Sequence, residues 1–325
     1  MEKELIKEGE FTYIAEGEGP VLLILHGLFG ALSNFDDVFE RFRKDYHVVI
    51  PMMPVYQLPV ADTHVRSLAD FIHRFVEFKG FEEVNLLGNS LGGHVALVYA
   101  LAHPERIRTM ILTGSSGLYE NAMGGSFPRR EDYEFIKAKV AFTFYDPVNA
   151  TKELVDEVFE IVNNKDKLIR ILALAKSAIR HNMGNDLHKI TAPVCLIWGK
   201  NDQITPPEVA DEFHELLPKS DLFWIDLCGH APMMERPLDR LAHLARLDFD
   251  PQAKAELLKD LNRILAFVEK LEEVPTDGVE PLIYMVDDTI PPREDEIRLE
   301  IGREQALQNA PKHDSDYFRV PKVID

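Results

Sequence analysis

Cysteine is scarce in this 325-residue chain. Cys195 and Cys228 cannot build a disulfide framework, and no Cys/His cluster has the spacing of zinc ligands. Positive charge is also short: 36 Lys+Arg stand against 55 Asp+Glu, a formal charge of −19. With a pI near 5.1, neither a dedicated nucleic-acid binder nor a coat for anionic membranes is expected, because phosphate contact needs clustered cations. No apolar run approaches the roughly 18 residues that cross a bilayer. Met1-Glu2-Lys3-Glu4-Leu5 lacks the basic-then-apolar order of a signal peptide, so the expected compartment is the cytoplasm. What is present is ordinary for a globular protein: 46% hydrophobic and 28% charged residues, over a length that can bury a sizeable core.

Short aliphatic runs alternate with amphipathic ones along the first two-thirds. Val21–Leu25, His47–Ile50, Val84–Leu87, Thr109–Leu112, Val194–Trp198 and Leu222–Ile225 read as strands, apolar throughout as in a parallel sheet covered on both faces. Phe35–Phe42, Val65–Phe78, Leu91–Ala102 and Glu208–Leu217 read as the helices between them, the last starting just after Pro206-Pro207. This alternation predicts an α/β fold with right-handed crossovers. Between about 118 and 190 only helical patterns remain, notably Thr151–Val162 and Lys167–Arg180, with Gly124-Gly125 and Pro128 as punctuation. A helical insertion between two strands predicts a cap over the strands' C-terminal edge.

The composition changes near Pro237. Helical patterns at 238–246 and 251–273 precede a polar, Pro-containing, aperiodic stretch running from Val274 to the end. Such a stretch suits an arm that orders on a partner. Over 237–325 there are 12 Lys+Arg against 20 Asp+Glu, a net −8, so this part is no RNA clamp. The chain therefore divides into 1–236 and 237–325.

The strongest chemical signal is Gly88-Asn89-Ser90-Leu91-Gly92-Gly93, which follows one predicted strand and opens a predicted helix. A Gly-x-Ser-x-Gly turn there holds the serine hydroxyl exposed, above a helix N-terminus that favours developing negative charge. A serine hydroxyl needs a base, and the base needs an orienting acid. His230, in Cys228-Gly229-His230-Ala231-Pro232 after the last predicted strand, is the expected base. Asp202, in Trp198-Gly199-Lys200-Asn201-Asp202, is the expected acid. Asp226 is its rival, but lies so close to the last strand that a capping role suits it better. No carboxylate follows the Thr109–Leu112 strand directly; Thr113-Gly114-Ser115-Ser116-Gly117 stands there instead.

Acyl transfer also needs backbone donors for the carbonyl oxygen. Leu91 is the expected first donor. Leu28 in His26-Gly27-Leu28-Phe29-Gly30 is the second, with Phe29 the runner-up and His26 a structural residue of that loop. His94 is read as packed against a neighbour. Arg180 and His181 read as a solvated helix end ahead of a substrate contact. Met233-Met234 fits pocket and core equally. No phosphate loop or metal-ligand set is visible, so no cofactor or metal is expected.

These motifs, in this order, resemble the α/β-hydrolase superfamily over about residues 10–236, specifically its small capped members, which include esterases and carbon–carbon bond hydrolases. The resemblance implies a serine hydrolase that acylates Ser90 with a small acyl substrate and needs no cofactor. One departure is Pro51-Met52-Met53-Pro54-Val55-Tyr56, where relatives often carry an Asp-x-x-Gly loop. This puts substrate contacts on that side in question.

The second part resembles something unrelated. Leu238-Asp239-Arg240-Leu241-Ala242-His243-Leu244-Ala245-Arg246-Leu247, then Asp260-Leu261-Asn262-Arg263-Ile264-Leu265, Gly278-Val279-Glu280-Pro281, Arg293-Glu294-Asp295-Glu296 and Phe318-Arg319-Val320-Pro321-Lys322-Val323-Ile324 are similar to the C subunit of the aspartyl/glutamyl-tRNA amidotransferase. That resemblance implies an accessory, non-catalytic subunit of two helices and an arm, belting together the two larger subunits of a tRNA-dependent amidotransferase. The segment Thr289-Ile290-Pro291-Pro292 departs from that family's usual Val-Leu before Arg-Glu-Asp-Glu. The junction is contested: Leu238, Leu241, Ala242 and Ala245 form one apolar stripe, which cannot serve both the hydrolase sheet and a partner subunit. The alternative to a hydrolase with an appended accessory part is therefore an amidotransferase C subunit with an appended hydrolase.

Overall fold

The computed structural model describes residues 4–29, 32–121 and 129–236. The expected helices at 238–246 and 251–273, the arm beyond Val274, and the Gly124-Gly125 and Pro128 punctuation lie outside the described residues.

In chain order the elements are β1 (Ile6–Glu8), β2 (Phe11–Glu16), β3 (Val21–Leu25), α1 (Asp36–Phe42), β4 (His47–Pro51), α2 (Val65–Lys79), β5 (Val84–Asn89), α3 (Leu91–Ala102), β6 (Ile107–Thr113), α4 (Tyr133–Ala141), α5 (Lys152–Asn163), α6 (Lys165–Arg180), β7 (Val194–Gly199), α7 (Pro207–Leu216), β8 (Ser220–Ile225) and α8 (Pro232–Glu235). The strands form one eight-stranded sheet in the order β1-β2-β4-β3-β5-β6-β7-β8. From β4 to β8 all neighbours are parallel, while β1 and β2 pair antiparallel with each other and β2 pairs antiparallel with β4.

All six expected strands and four expected core helices are present, with ends shifted by at most two residues. The β1–β2 hairpin is an addition. Its strand β1 is Ile-Lys-Glu with no buried residue, so it carries no apolar run to betray it. Helix α4 is a second addition, set between the two cap helices that the pattern predicts and β6. The cap helices begin where a side chain can accept from free backbone N–H groups: Asp132 from Phe135, Thr151 from Leu154, and Asn164 from Asp166 and Lys167.

The sheet buries both faces, so strand residues alternate between two cores. Leu22 and Ile24 of β3 join a cluster with Val38, Phe39 and Phe42 of α1. Leu23 and Leu25 join the other cluster, with Leu68 and Ile72 of α2 and Val95 of α3. Because α1 leaves β3 on one face and α3 leaves β5 on the other, the neighbouring strands β3 and β5 open a crevice at their C-terminal ends, the usual ligand position in such sheets. Among the described residues no helix is long and apolar enough to cross a membrane.

Candidate active site

Ser90 sits between β5 and α3 at φ 53°, ψ −120°. That backbone conformation is costly for any residue with a Cβ and persists only where packing enforces it. The glycines around it permit the packing: a Cβ at Gly88 would lie 2.6 Å from Gly93, and one at Gly92 would lie 2.0 Å from the Leu25 carbonyl. The Ser90 N–H donates to Thr113 at 3.1 Å, and its carbonyl accepts from Ser116 N–H at 3.1 Å, pinning the turn to the end of β6. The side chain borders a cavity of about 140 Å3.

Asp202 and His230 meet behind this cavity. His230 Nδ1 lies 2.9 Å from Asp202 Oδ2 and 3.1 Å from Oδ1, with both residues buried. Asp202 is held in turn by the Ile204 N–H at 2.8 Å, the Thr205 N–H at 3.0 Å and the Thr205 hydroxyl at 2.8 Å. A carboxylate only accepts, so Nδ1 carries the proton and Nε2 is left as the acceptor. Burial is the largest single influence on the His230 pKa and pushes it down. The Asp202 charge and hydrogen bond, with the Glu120 and Glu235 charges, outweigh it and leave the pKa raised.

His230 lines the same cavity as Ser90, but among the described residues no hydrogen bond joins the Ser90 hydroxyl to the imidazole. Catalytic hydrogen bonds often close only when substrate binds. Asp226, the rival acid, points away: its exposed carboxylate pairs with Lys200 at 2.7 Å.

Leu28, Phe29 and Leu91 all line the cavity. Among the described residues neither the Leu28 nor the Leu91 N–H has a hydrogen-bond acceptor, so both backbone donors remain available. The loop carrying Leu28 is shaped by His26, whose Nδ1–H donates to the Gly27 carbonyl at 3.0 Å while Nε2 accepts from Met53 N–H at 3.0 Å. Burial lowers the His26 pKa and keeps the ring neutral in that double role. The Tyr56 hydroxyl donates to the Phe29 carbonyl at 2.8 Å. The departing segment 51–56 thus clamps this loop from behind, and none of its residues lines the cavity.

Several neighbours hold these residues in place. Asn89 donates to the Thr113 carbonyl, the Thr113 hydroxyl and the His230 carbonyl at 2.9, 3.0 and 3.1 Å. Gly114, at φ 48°, backs the buried pair so closely that a Cβ would stand 2.9 Å from His230 Nδ1. This is why glycine stands at that position of the loop after β6. Glu235 accepts from Gly229 N–H at 2.7 Å and from Tyr145 N–H at 2.8 Å, joining the histidine loop to the cap. Glu120 faces into the cavity. An acid shortly after the Thr113–Gly117 loop was the available clue to it.

His181 is not a solvated helix end. Its Nδ1 lies 2.9 Å from Nε2 of the buried His94, tying the cap to α3, whereas Arg180 is exposed. Met234 lines the cavity and Met233 packs in the core. Among the described residues no group of three His, Cys, Asp or Glu could hold a metal ion.

Comparison with known proteins adds two independent likenesses. The family described as alpha/beta hydrolase fold matches residues 20–161, and the Glu-tRNAGln amidotransferase C subunit matches residues 249–320. An alpha/beta hydrolase enzyme from the metagenome of lagoon sediments at Mar Chica, Morocco, is 47% identical, with a TM-score of 0.61, over 74% of this chain and 96% of that one. The C subunit of the aspartyl/glutamyl-tRNA(Asn/Gln) amidotransferase of Cytophaga hutchinsonii is 49% identical over 89 residues, 27% of this chain and 94% of that protein. Lipase 3 of Moraxella sp. is 25% identical over 256 residues, 72% of this chain and 80% of that protein.

Proposed function

Because the chain belongs to the α/β-hydrolase family over its first part and to the amidotransferase C-subunit family over its last, we propose a serine hydrolase for small apolar acyl esters, joined to an accessory subunit region. The observation that carries the enzyme reading is the buried His230–Asp202 pair at 2.9 Å opening onto the cavity that Ser90 borders. Ser90 Oγ attacks the ester carbonyl carbon as His230 Nε2 takes its proton. Asp202 holds the imidazolium, and the Leu28 and Leu91 N–H groups receive the oxyanion. The protonated His230 gives that proton to the departing alcohol. Water, deprotonated by His230, then attacks the acyl-enzyme, and the carboxylic acid leaves as Ser90 regains its proton.

The cap supplies Val140, Phe144, Leu154 and Val158 to the lining, which suits an apolar acyl chain of modest length. The likeness to a lipase supports ester chemistry. Assaying the full chain on p-nitrophenyl esters from acetate to octanoate tests this. Ser90→Ala should lose at least about a thousandfold in kcat; a variant as fast as wild type removes Ser90 from the mechanism.

The second reading concerns the other part. The 49% identity to a nearly full-length C subunit supports an assembly role for 237–325, in which this segment binds the two larger amidotransferase subunits and so assists formation of Gln-tRNA or Asn-tRNA. Co-purification of the full chain with those subunits tests it, and failure to bind either one overturns it. Both readings hold together if the chain exists as one 37.1 kDa polypeptide, which intact mass of the native protein decides.

A further inference from the structure

The cavity holds an acid that the proposed reaction does not use. Glu120 lines it together with Ser116 and Asn121, whereas helices α4, α5 and α6 contribute mostly apolar residues. Glu120 Oε2 accepts from the Ser116 hydroxyl at 2.5 Å. Ser116 in turn donates its backbone N–H to the Ser90 carbonyl at 3.1 Å, which fixes this polar corner beside the reacting serine.

Among the described residues Glu120 Oε1 has no hydrogen-bond donor, and no Lys or Arg pairs with the carboxylate. Lys139 shares the lining, but its ammonium stands over the Phe135 ring, 5.9 Å from the centroid. Burial accordingly raises the Glu120 pKa, against the lowering influence of the Ser116 bond and the His230 charge. Glu120 is half-buried and no Lys or Arg side chain pairs with it, so a ligand that brings a charged donor to its free oxygen gains a favourable contact there.

We propose that Glu120 is a specificity-determining residue: it favours esters whose leaving group carries a protonated amine and disfavours anionic ones. This rests on the serine-hydrolase reading and adds a charge rule to it. The acyl chain occupies the apolar part lined by the cap, and the leaving group meets Glu120. A charged N–H donor there makes a strong, short hydrogen bond to the free oxygen. A carboxylate there meets like charge, the usual physical basis of rejection.

Three butyrate esters test the rule: dimethylaminoethyl, its uncharged isostere isopentyl, and anionic carboxyethyl. Wild-type kcat/KM should fall in that order, the first step by about tenfold, as expected of a hydrogen bond to a charged group. Glu120→Gln should compress all three to within about twofold. The ranking is a ratio within each protein, so a general loss of activity in the variant cancels. Product inhibition gives the same reading without a variant: dimethylaminoethanol should inhibit wild type about tenfold more tightly than isopentanol. Equal hydrolysis of the three esters, equal inhibition by the two alcohols, or an unchanged ranking in Glu120→Gln overturns the charge rule alone. Failure of wild type to hydrolyse any ester overturns the serine-hydrolase reading and this inference with it.

Discussion

The side-chain amide of Asn89 donates to the backbone carbonyl of His230 at 3.1 Å, across 141 positions of sequence. The residue just before the elbow serine thereby holds the loop of the proposed base. Asn89→Leu keeps the volume but leaves the His230 carbonyl without its donor, while the Thr113 carbonyl still accepts from the Ser90 N–H. Each unsatisfied buried acceptor costs about 1–3 kcal/mol. Urea unfolding should show a loss of that order, with a lower kcat; an unchanged midpoint would show that the link is dispensable.

Ser90 has a backbone conformation that glycine adopts freely. Releasing strain of about 1–3 kcal/mol outweighs the roughly 0.5–1 kcal/mol that glycine's greater unfolded-state freedom costs. Ser90→Gly should therefore raise the thermal midpoint while abolishing ester hydrolysis. A fall in the midpoint would mean that the serine side chain contributes more to stability than its backbone costs.

Gly114 leaves no room for a side chain against the buried pair. Gly114→Ala adds a methyl at positive φ, a change that costs about 1–2 kcal/mol before any clash is counted. It should also displace His230 or Asp202 and reduce kcat more than KM. Steady-state kinetics beside a melting curve separates the effects, and wild-type values in both would contradict the close packing.

The raised pKa of His230 sets a pH profile. Neutral His230 is the proposed base, so kcat/KM should fall with decreasing pH through a value above the ordinary 6.5. Asp202→Asn removes the chief raising influence, moves that limb to lower pH, and cuts kcat by about 10⁴-fold. The stability linkage has the opposite sense. A folded-state pKa above the unfolded one stabilises fully below 6.5, and this contribution is lost as pH rises through the folded value. Asp202→Asn should remove that low-pH contribution from unfolding curves. A limb that stays in place in Asp202→Asn would mean that another group sets it.

The central architecture was legible because its constraints are local. Gly88, Ser90 and Gly92 stand at fixed spacing in a turn where only small residues pass, and apolar strands covered on both faces announce themselves without knowledge of their neighbours. The proximity of Asp202 and His230 follows from strand-end positions, β7 and β8 being adjacent. What stayed hidden depends on distant partners or on solvent. Strand β1 is polar because it is exposed. His94 and His181 meet across 87 positions. Glu120 becomes notable only once a cavity closes round it.

The most direct test is intact-mass and peptide mapping of the full chain after exposure to a fluorophosphonate. The account predicts one adduct, carried by the peptide containing Ser90, formed more slowly at low pH and absent from Ser90→Ala. No adduct on folded wild type, or equal labelling of Ser90→Ala, would contradict it.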